Sequence, residues 1–162
     1  MDDTIAGGGE GQGRRVSVDD APAGPDDALW QPTDGVNVSV VARARAWLQR
    51  VLPRLVGQQP RRHLEDDTEL LLCELVTNAV LHGGGVTGVR LRTADEVLRV
   101  TVCDRLTAPP VPRNPAAAAE HGRGIVLIEA LATRWGVDRQ AAGAGKCVWV
   151  ELSTAPQRAI AA

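Results

Sequence analysis

Two short segments in which apolar and polar residues alternate place the strongest limit on what this chain can fold into. In 89–93 and again in 98–102, Val, Leu or Thr occupies every second position, with Arg or Thr between. A period of two is typical of a strand with one buried face. Because only a short stretch containing Asp95 and Glu96 separates the segments, the sequence predicts an antiparallel hairpin.

Two helices are predicted before this hairpin. In the first, from Ser39 to about Leu55, apolar residues recur every three or four positions. Ser39 is the expected N-cap, and Pro53 is expected to end or kink the helix. The second is predicted from about Leu64 to His82, where Gly83 is a typical stop signal.

The rest of the chain predicts one more helix and two closing strands. The helix is expected over Gly122 to Thr133, and the strands over Trp135 to Asp138 and Lys146 to Leu152. Helices packed on clustered antiparallel strands give an α+β fold, a two-layer α/β sandwich with a mostly antiparallel sheet. Between Asp104 and His121 four prolines mark a long loop, which is often a functional lid.

Length and composition limit the domain organisation and the partners. The 162 residues fit one domain, which we expect over 28–153, with flexible tails over 1–27 and 154–162. The sequence shows neither the ~20-residue apolar run of a membrane span nor a signal peptide, so we expect a cytoplasmic protein without membrane contact. The net charge is −2 and no basic block or aromatic stripe occurs, which argues against direct nucleic-acid binding.

The chain has three cysteines, Cys73, Cys103 and Cys147, which are widely spaced and form no CxxC pair. That spacing argues against a zinc site. Each cysteine stands among apolar residues, so we expect three buried, reduced thiols.

The second predicted helix carries polar groups close to its apolar face. Glu74, Asn78 and His82 are four residues apart and therefore share one side of the helix. A carboxylate there can act as a base, and an amide oxygen beside it can hold a hydrated Mg²⁺. The alternative is structural: Glu74 is solvated, Asn78 bonds to backbone and His82 ends the helix.

Two further features suggest ligand binding. Gly122, Arg123 and Gly124 open the third predicted helix, and glycines at a helix start leave backbone N–H groups open to a phosphate. Asp104 ends a predicted strand, where a carboxylate can accept a hydrogen bond from an exocyclic amine. Each feature alone is more often simply part of a turn.

Three stretches together resemble a known family. ELVTNAVLHG (Glu74–Gly83) resembles the N box, GRGIVLIEALATRWGV (Gly122–Val137) the G2 region and GKCVWVEL (Gly145–Leu152) the last strand of the anti-sigma factor serine kinases, in the short form of actinomycetes. These kinases belong to the Bergerat-fold (GHKL) superfamily of histidine kinase-like ATPases. The likeness covers about Val38 to Leu152.

The resemblance implies an ATP-dependent protein serine/threonine kinase with Mg²⁺. By this likeness Asn78 would bind Mg²⁺ and Glu74 would be the catalytic base that activates a partner's serine. Asp104 would bind the adenine amino group. The remaining residues implied to bind the nucleotide are His82, Gly122, Arg123, Gly124, Lys146 and Cys147. For Lys146, a solvated turn lysine is the alternative.

The sequence departs from the family pattern at two positions. The family's Asp-x-Gly is Asp104-Arg105-Leu106 here, and its Thr after Gly-Lys is Cys147. A thiol is a weaker hydrogen-bond partner than a hydroxyl, and losing one hydrogen bond costs about 0.5–1.5 kcal/mol. We therefore expect weakened adenine recognition with Glu74 and Asn78 intact.

The implied partners are a sigma factor and a small anti-sigma antagonist that the kinase phosphorylates to regulate transcription; a homodimer is a further possibility. One alternative is a regulatory module that has lost most nucleotide binding and acts only through protein–protein contacts, as Leu106 and Cys147 suggest. A second is a simple ATPase without a protein substrate, which would need another domain to use the energy of hydrolysis.

Overall fold

The five strands that the structure describes form one antiparallel sheet in the order β1-β2-β3-β5-β4. The structure is a computed structural model, and it describes residues 24–57, 62–106 and 123–155. Its elements are β1 (Asp27–Trp30), α1 (Ser39–Val56), α2 (Arg62–His82), β2 (Val86–Ala94), β3 (Val97–Asp104), α3 (Arg123–Leu131), β4 (Arg134–Arg139) and β5 (Lys146–Ser153). This architecture confirms the predicted α+β class.

The β2–β3 hairpin is confirmed with the predicted turn. Ala94 pairs with Val97, so Asp95 and Glu96 are the two turn residues. Both have positive φ, 50° and 60°. Two-residue turns of this kind match the right-handed twist of the flanking strands.

One face of the sheet and the helices enclose the apolar core. Leu and Val supply most of it, with Trp47 stacked on Trp30 at 6.0 Å between ring centroids. The buried strand residues alternate along β3 and β5, and include Leu98, Val100, Val102, Val150 and Leu152. None of the described helices is long and apolar enough to cross a membrane.

Helix α1 ends at Val56, close to the predicted end at about Leu55, but its N-cap differs from the prediction. Ser39 is not the cap: the N-cap is Val38, and the side chain of Asn37 accepts a hydrogen bond from the Ser39 amide at 2.9 Å. Pro53 does not end the helix, which continues to Val56 because Leu55 and Val56 still pack against the core.

Strand β1 was not expected from the sequence. It begins at Asp27, one residue before the predicted domain boundary, and pairs with β2 at the edge of the sheet. The Asp27 carboxylate accepts hydrogen bonds from the buried Arg90 guanidinium, one of them at 2.9 Å to Nε. The predicted lid, apart from its first residues, lies outside the described residues.

The expectation of three reduced thiols is wrong, because Cys103 and Cys147 form a disulfide. They stand directly opposite each other on β3 and β5, with Cα atoms 3.9 Å apart. A separation of 44 residues in the sequence conceals this pairing. Cys73 is a free cysteine on α2.

Asp27→Ala should destabilise the fold strongly. It would leave the Arg90 guanidinium buried without its carboxylate, which typically costs about 3–5 kcal/mol. Urea unfolding measures the loss. Asp26→Ala removes a neighbouring exposed carboxylate and should change stability by less than about 0.5 kcal/mol. Equal effects of the two substitutions would contradict the importance of this ion pair.

Candidate functional site

Glu74 and Asn78 lie where helix α2 meets the start of α3. Both side chains are half-buried. A Cβ added to Gly124 would lie 3.4 Å from Glu74 Oε2 and 3.4 Å from Asn78 Nδ2. The structure therefore brings together three of the predicted site residues, which come from two distant parts of the sequence.

Helix α3 presents its N-terminus to this cluster. Its nine residues begin at Arg123, and Gly124 is buried. The first N–H groups of a helix lack intrahelical partners and carry a partial positive charge. A carboxylate, an amide and a helix N-terminus around a space kept open by a glycine are a donor set that fits a phosphate group with Mg²⁺.

Two of the residues implied to bind phosphate stand at the boundary of the described residues. Gly122 lies outside the described residues, and of Arg123 only the backbone position at the start of α3 is described. His82 is the last residue of α2 and is exposed. His82 takes part in an interaction within the chain. Its contact with the nucleotide stays a prediction.

Asp104 is a buried carboxylate at the end of β3. Its Oδ2 accepts a hydrogen bond from Lys146 Nζ at 2.7 Å, and its Oδ1 accepts one from the Leu106 amide at 3.1 Å. Lys146 stands directly opposite it on β5 and is also buried, which excludes the alternative of a solvated turn lysine.

Gly83 joins the end of α2 to Asp104. Its carbonyl accepts hydrogen bonds from the amides of Arg105 and Leu106, at 3.0 and 3.1 Å. A Cβ on Gly83 would overlap the Asp104 carboxylate, so only glycine leaves room for that side chain. The same helix thus carries Glu74 and Asn78 and fixes the position of Asp104.

Cys147 does not face this carboxylate. Residues directly opposite each other on antiparallel strands point to the same side, and neighbours in sequence point to opposite sides. Asp104 and Lys146 therefore share one face, and Cys103 and Cys147 share the other, where they form the disulfide. The disulfide corrects the expectation of a free Cys147 thiol, and Lys146 is the β5 residue that contacts Asp104.

The pairing of Lys146 with Asp104 was the main feature that sequence reasoning missed. A usable signal was present, since Lys146 is in phase with Val148, Val150 and Leu152, the β5 residues that point toward the core. A lysine in phase with an apolar face needs a buried anionic partner.

Burial raises the pKa of the Asp104 carboxyl above its ordinary value of 3.8. The hydrogen bond and charge of Lys146, together with backbone hydrogen bonds from Leu106 and Lys146, act in the opposite direction but are outweighed. The physical cause is desolvation, which disfavours the charged carboxylate.

The α+β sandwich thus places a carboxylate and an amide at a helix start and a buried carboxylate at a strand end, groups whose chemistry fits a nucleotide. The model of the histidine kinase-like ATPase domain matches residues 36–152, and the chain belongs to this family. This membership supports ATP binding by a GHKL-type ATPase domain. A comparison with curated proteins gave no match.

Gly124→Ala should keep the fold but weaken Mg²⁺–ATP binding. The added methyl group would meet Glu74 and Asn78 at 3.4 Å, an ordinary contact distance, and alanine favours a helix over glycine by about 0.5–1 kcal/mol. We expect unchanged or higher stability by urea unfolding and affinity at least about tenfold weaker by calorimetry. The matched control is Val126→Ala on the exposed side of α3. Full affinity in Gly124→Ala would contradict a ligand in this space.

Asp104→Asn should remove a pH-dependent part of the stability. The folded carboxyl binds its proton more tightly than the unfolded one, so its contribution to the free energy of unfolding falls as pH rises from 3.8 through the raised pKa. Urea unfolding between about pH 3.5 and 7 should show the wild type losing stability relative to Asp104→Asn. Asp66→Asn controls for loss of an exposed carboxylate. Parallel curves for wild type and Asp104→Asn would contradict the raised pKa.

Proposed function

We propose that the protein is an ATP- and Mg²⁺-dependent protein serine/threonine kinase of the anti-sigma factor type. In this proposal it phosphorylates a small anti-sigma antagonist and regulates transcription by exchange of protein partners. The observation that carries the proposal is the cluster of Glu74 and Asn78 against Gly124, because it places a candidate base and a candidate Mg²⁺ ligand beside the N-terminus of a helix.

Asn78 would hold Mg²⁺ through its side-chain oxygen. When bound, Mg²⁺ supplies positive charge that offsets the charge developing on the phosphate oxygens. The position of Asn78 supports this role, since its amide group lies beside the N-terminus of α3. The first amides of α3 would bind the same phosphate oxygens.

Glu74 would act as the general base. Its carboxylate would take the proton of a serine hydroxyl of the antagonist while the serine oxygen attacks the γ-phosphorus. The bond between the γ-phosphorus and the bridging oxygen then breaks, and ADP leaves with that electron pair. Glu74 precedes Asn78 by one helical turn, which supports a base placed beside the bound phosphates.

Asp104 would bind the adenine end of the nucleotide. Asp104 lies beyond the end of α2, next to Gly83. Asn78 stands on α2, five residues before Gly83. At 1.5 Å per helical residue, the two ends of the site are separated by roughly 8 Å along the helix axis.

The proposed partners are a sigma factor and its antagonist, and we propose no direct contact with nucleic acid or membrane. The proposed location is the cytoplasm, and a homodimer is a further proposal. Phosphorylation of the antagonist would add about −1.5 to −2 charge units at its interface. Such a charge placed in a packed contact disrupts it by desolvation and repulsion, which supports exchange of partners as the means of control.

A second candidate function is a regulatory module with weakened nucleotide binding that acts only through protein contacts. The observation that favours it is the ion pair between Asp104 and Lys146, which occupies an oxygen that an adenine amino group would need. Leu106, whose side chain is 46% exposed beside Gly84, adds bulk at the same end of the site. Calorimetric titration with ATP and Mg²⁺ separates the two candidates, since saturable binding favours the kinase.

Glu74→Gln should abolish phosphate transfer while leaving ATP binding within about threefold of wild type. The amide keeps the size and hydrogen bonds of the side chain but cannot accept the serine proton. The assay follows label from γ-labelled ATP into the antagonist, and calorimetry follows binding; we expect a rate at least about 100-fold lower.

The matched control for this test is Glu129→Gln, which neutralises an exposed carboxylate on α3 and should transfer at the wild-type rate. Wild-type rates in Glu74→Gln would rule out Glu74 as the base. Absence of transfer by the wild type with its cognate antagonist would overturn the kinase proposal and leave the binding module.

A further inference from the structure

The ion pair between Lys146 and Asp104 lies at the proposed adenine end of the candidate site. The two side chains are only 8% and 5% exposed. Lys146 Nζ also approaches the Leu106 carbonyl at 3.4 Å, and the Leu106 amide binds the other Asp104 oxygen. Both carboxylate oxygens of Asp104 therefore already accept hydrogen bonds from this chain.

Surrounding glycines keep Asp104 and its strand in this position. A Cβ on Gly83 would overlap the carboxylate, and a Cβ on Gly145 would overlap the Asp104 carbonyl. Asp104 therefore has little room to turn toward a ligand, and Lys146, at the end of a flexible four-carbon chain, is the member of the pair that is able to move.

An incoming adenine amino group would compete with a stronger donor. A charge-assisted hydrogen bond between an ammonium and a carboxylate is roughly twice as strong as one between neutral groups. The hydrogen bond that the neutral amino group of adenine can donate is therefore weaker than the one that Lys146 already donates. Binding of adenine to Asp104 therefore requires that Lys146 withdraw or share the carboxylate.

We infer that Lys146 is a specificity-determining residue that competes with the adenine amino group for Asp104. This inference rests on the proposed function, because it takes Asp104 as the base-binding carboxylate. The wild-type site then recognises the triphosphate well and the amino group poorly. It should discriminate only weakly between ATP and purine riboside triphosphate, which lacks the amino group.

Lys146→Met tests this inference directly. It removes the ammonium but keeps the length of the side chain. We expect ATP to bind about tenfold more tightly, while the affinity for purine riboside triphosphate changes by less than about threefold. Loss of a positive charge would ordinarily weaken binding of a polyanion, so a gain limited to ATP identifies competition for the amino group.

One further variant controls for loss of a positive charge, and another controls for loss of the fold. Arg139→Met removes an exposed cation directly across from Lys146 on β4 and should not raise ATP affinity. Lys146→Gln retains a neutral hydrogen-bond donor toward Asp104, which protects the fold if Lys146→Met unfolds because of its unpaired carboxylate. Far-UV circular dichroism checks the fold, and Lys146→Gln should show the same ATP-selective gain, reduced to a few-fold.

The outcomes distinguish this inference from the proposed function. Weaker or unchanged ATP binding in folded Lys146→Gln and Lys146→Met, with saturable binding by the wild type, would overturn the competition and leave the kinase proposal standing. Equal gains for ATP and purine riboside triphosphate would also overturn it. Failure of the wild type and of both variants to bind either nucleotide would overturn the inference and the proposed function together.

Discussion

The close contact between Gly83 and Asp104 is the constraint on which the candidate site depends. Gly83 ends the helix that carries Glu74 and Asn78, and its carbonyl binds two amides just beyond β3. Because any side chain at 83 would overlap the Asp104 carboxylate, the end of α2 and the end of β3 are held at contact distance. A single helix therefore connects the cluster of Glu74 and Asn78 to the buried Asp104 carboxylate.

Local patterns predicted most of the elements, whereas contacts between distant strands were not predictable. The alternation in 89–93 and 98–102 depends on immediate neighbours, and so the hairpin with its turn at Asp95 and Glu96 follows from the sequence alone. Strand β1 is only four residues long and lies at an edge, so its pattern is too short to detect. The pairing of Cys103 with Cys147 depends on the register between β3 and β5, which no local pattern encodes.

Cys147 and the pair of Asp104 and Lys146 lie on opposite faces of the sheet. On the face opposite the core, Arg99 lies over the Trp149 ring at 4.2 Å, and Gly136 leaves the space that this indole fills. Cys147 belongs to that face, so its difference from the family's threonine does not alter the surroundings of Asp104. The β5 side chain that does contact Asp104 is Lys146, one residue earlier in the strand.

If Lys146 competes with adenine for Asp104, the two candidate functions differ by one local equilibrium at this position. If the ligand reaches Asp104 only when Lys146 has withdrawn, the apparent affinity for adenine is the intrinsic affinity multiplied by the fraction of molecules in that open state. An open fraction of about one in ten would weaken ATP binding about tenfold without any change at Glu74, Asn78 or Gly124. The phosphate end of the site would then remain competent for transfer while occupancy became dependent on whatever stabilises the open state. A protein partner that draws Lys146 away from Asp104 would raise nucleotide occupancy, and a kinase and a binding module would be two populations of the same molecule.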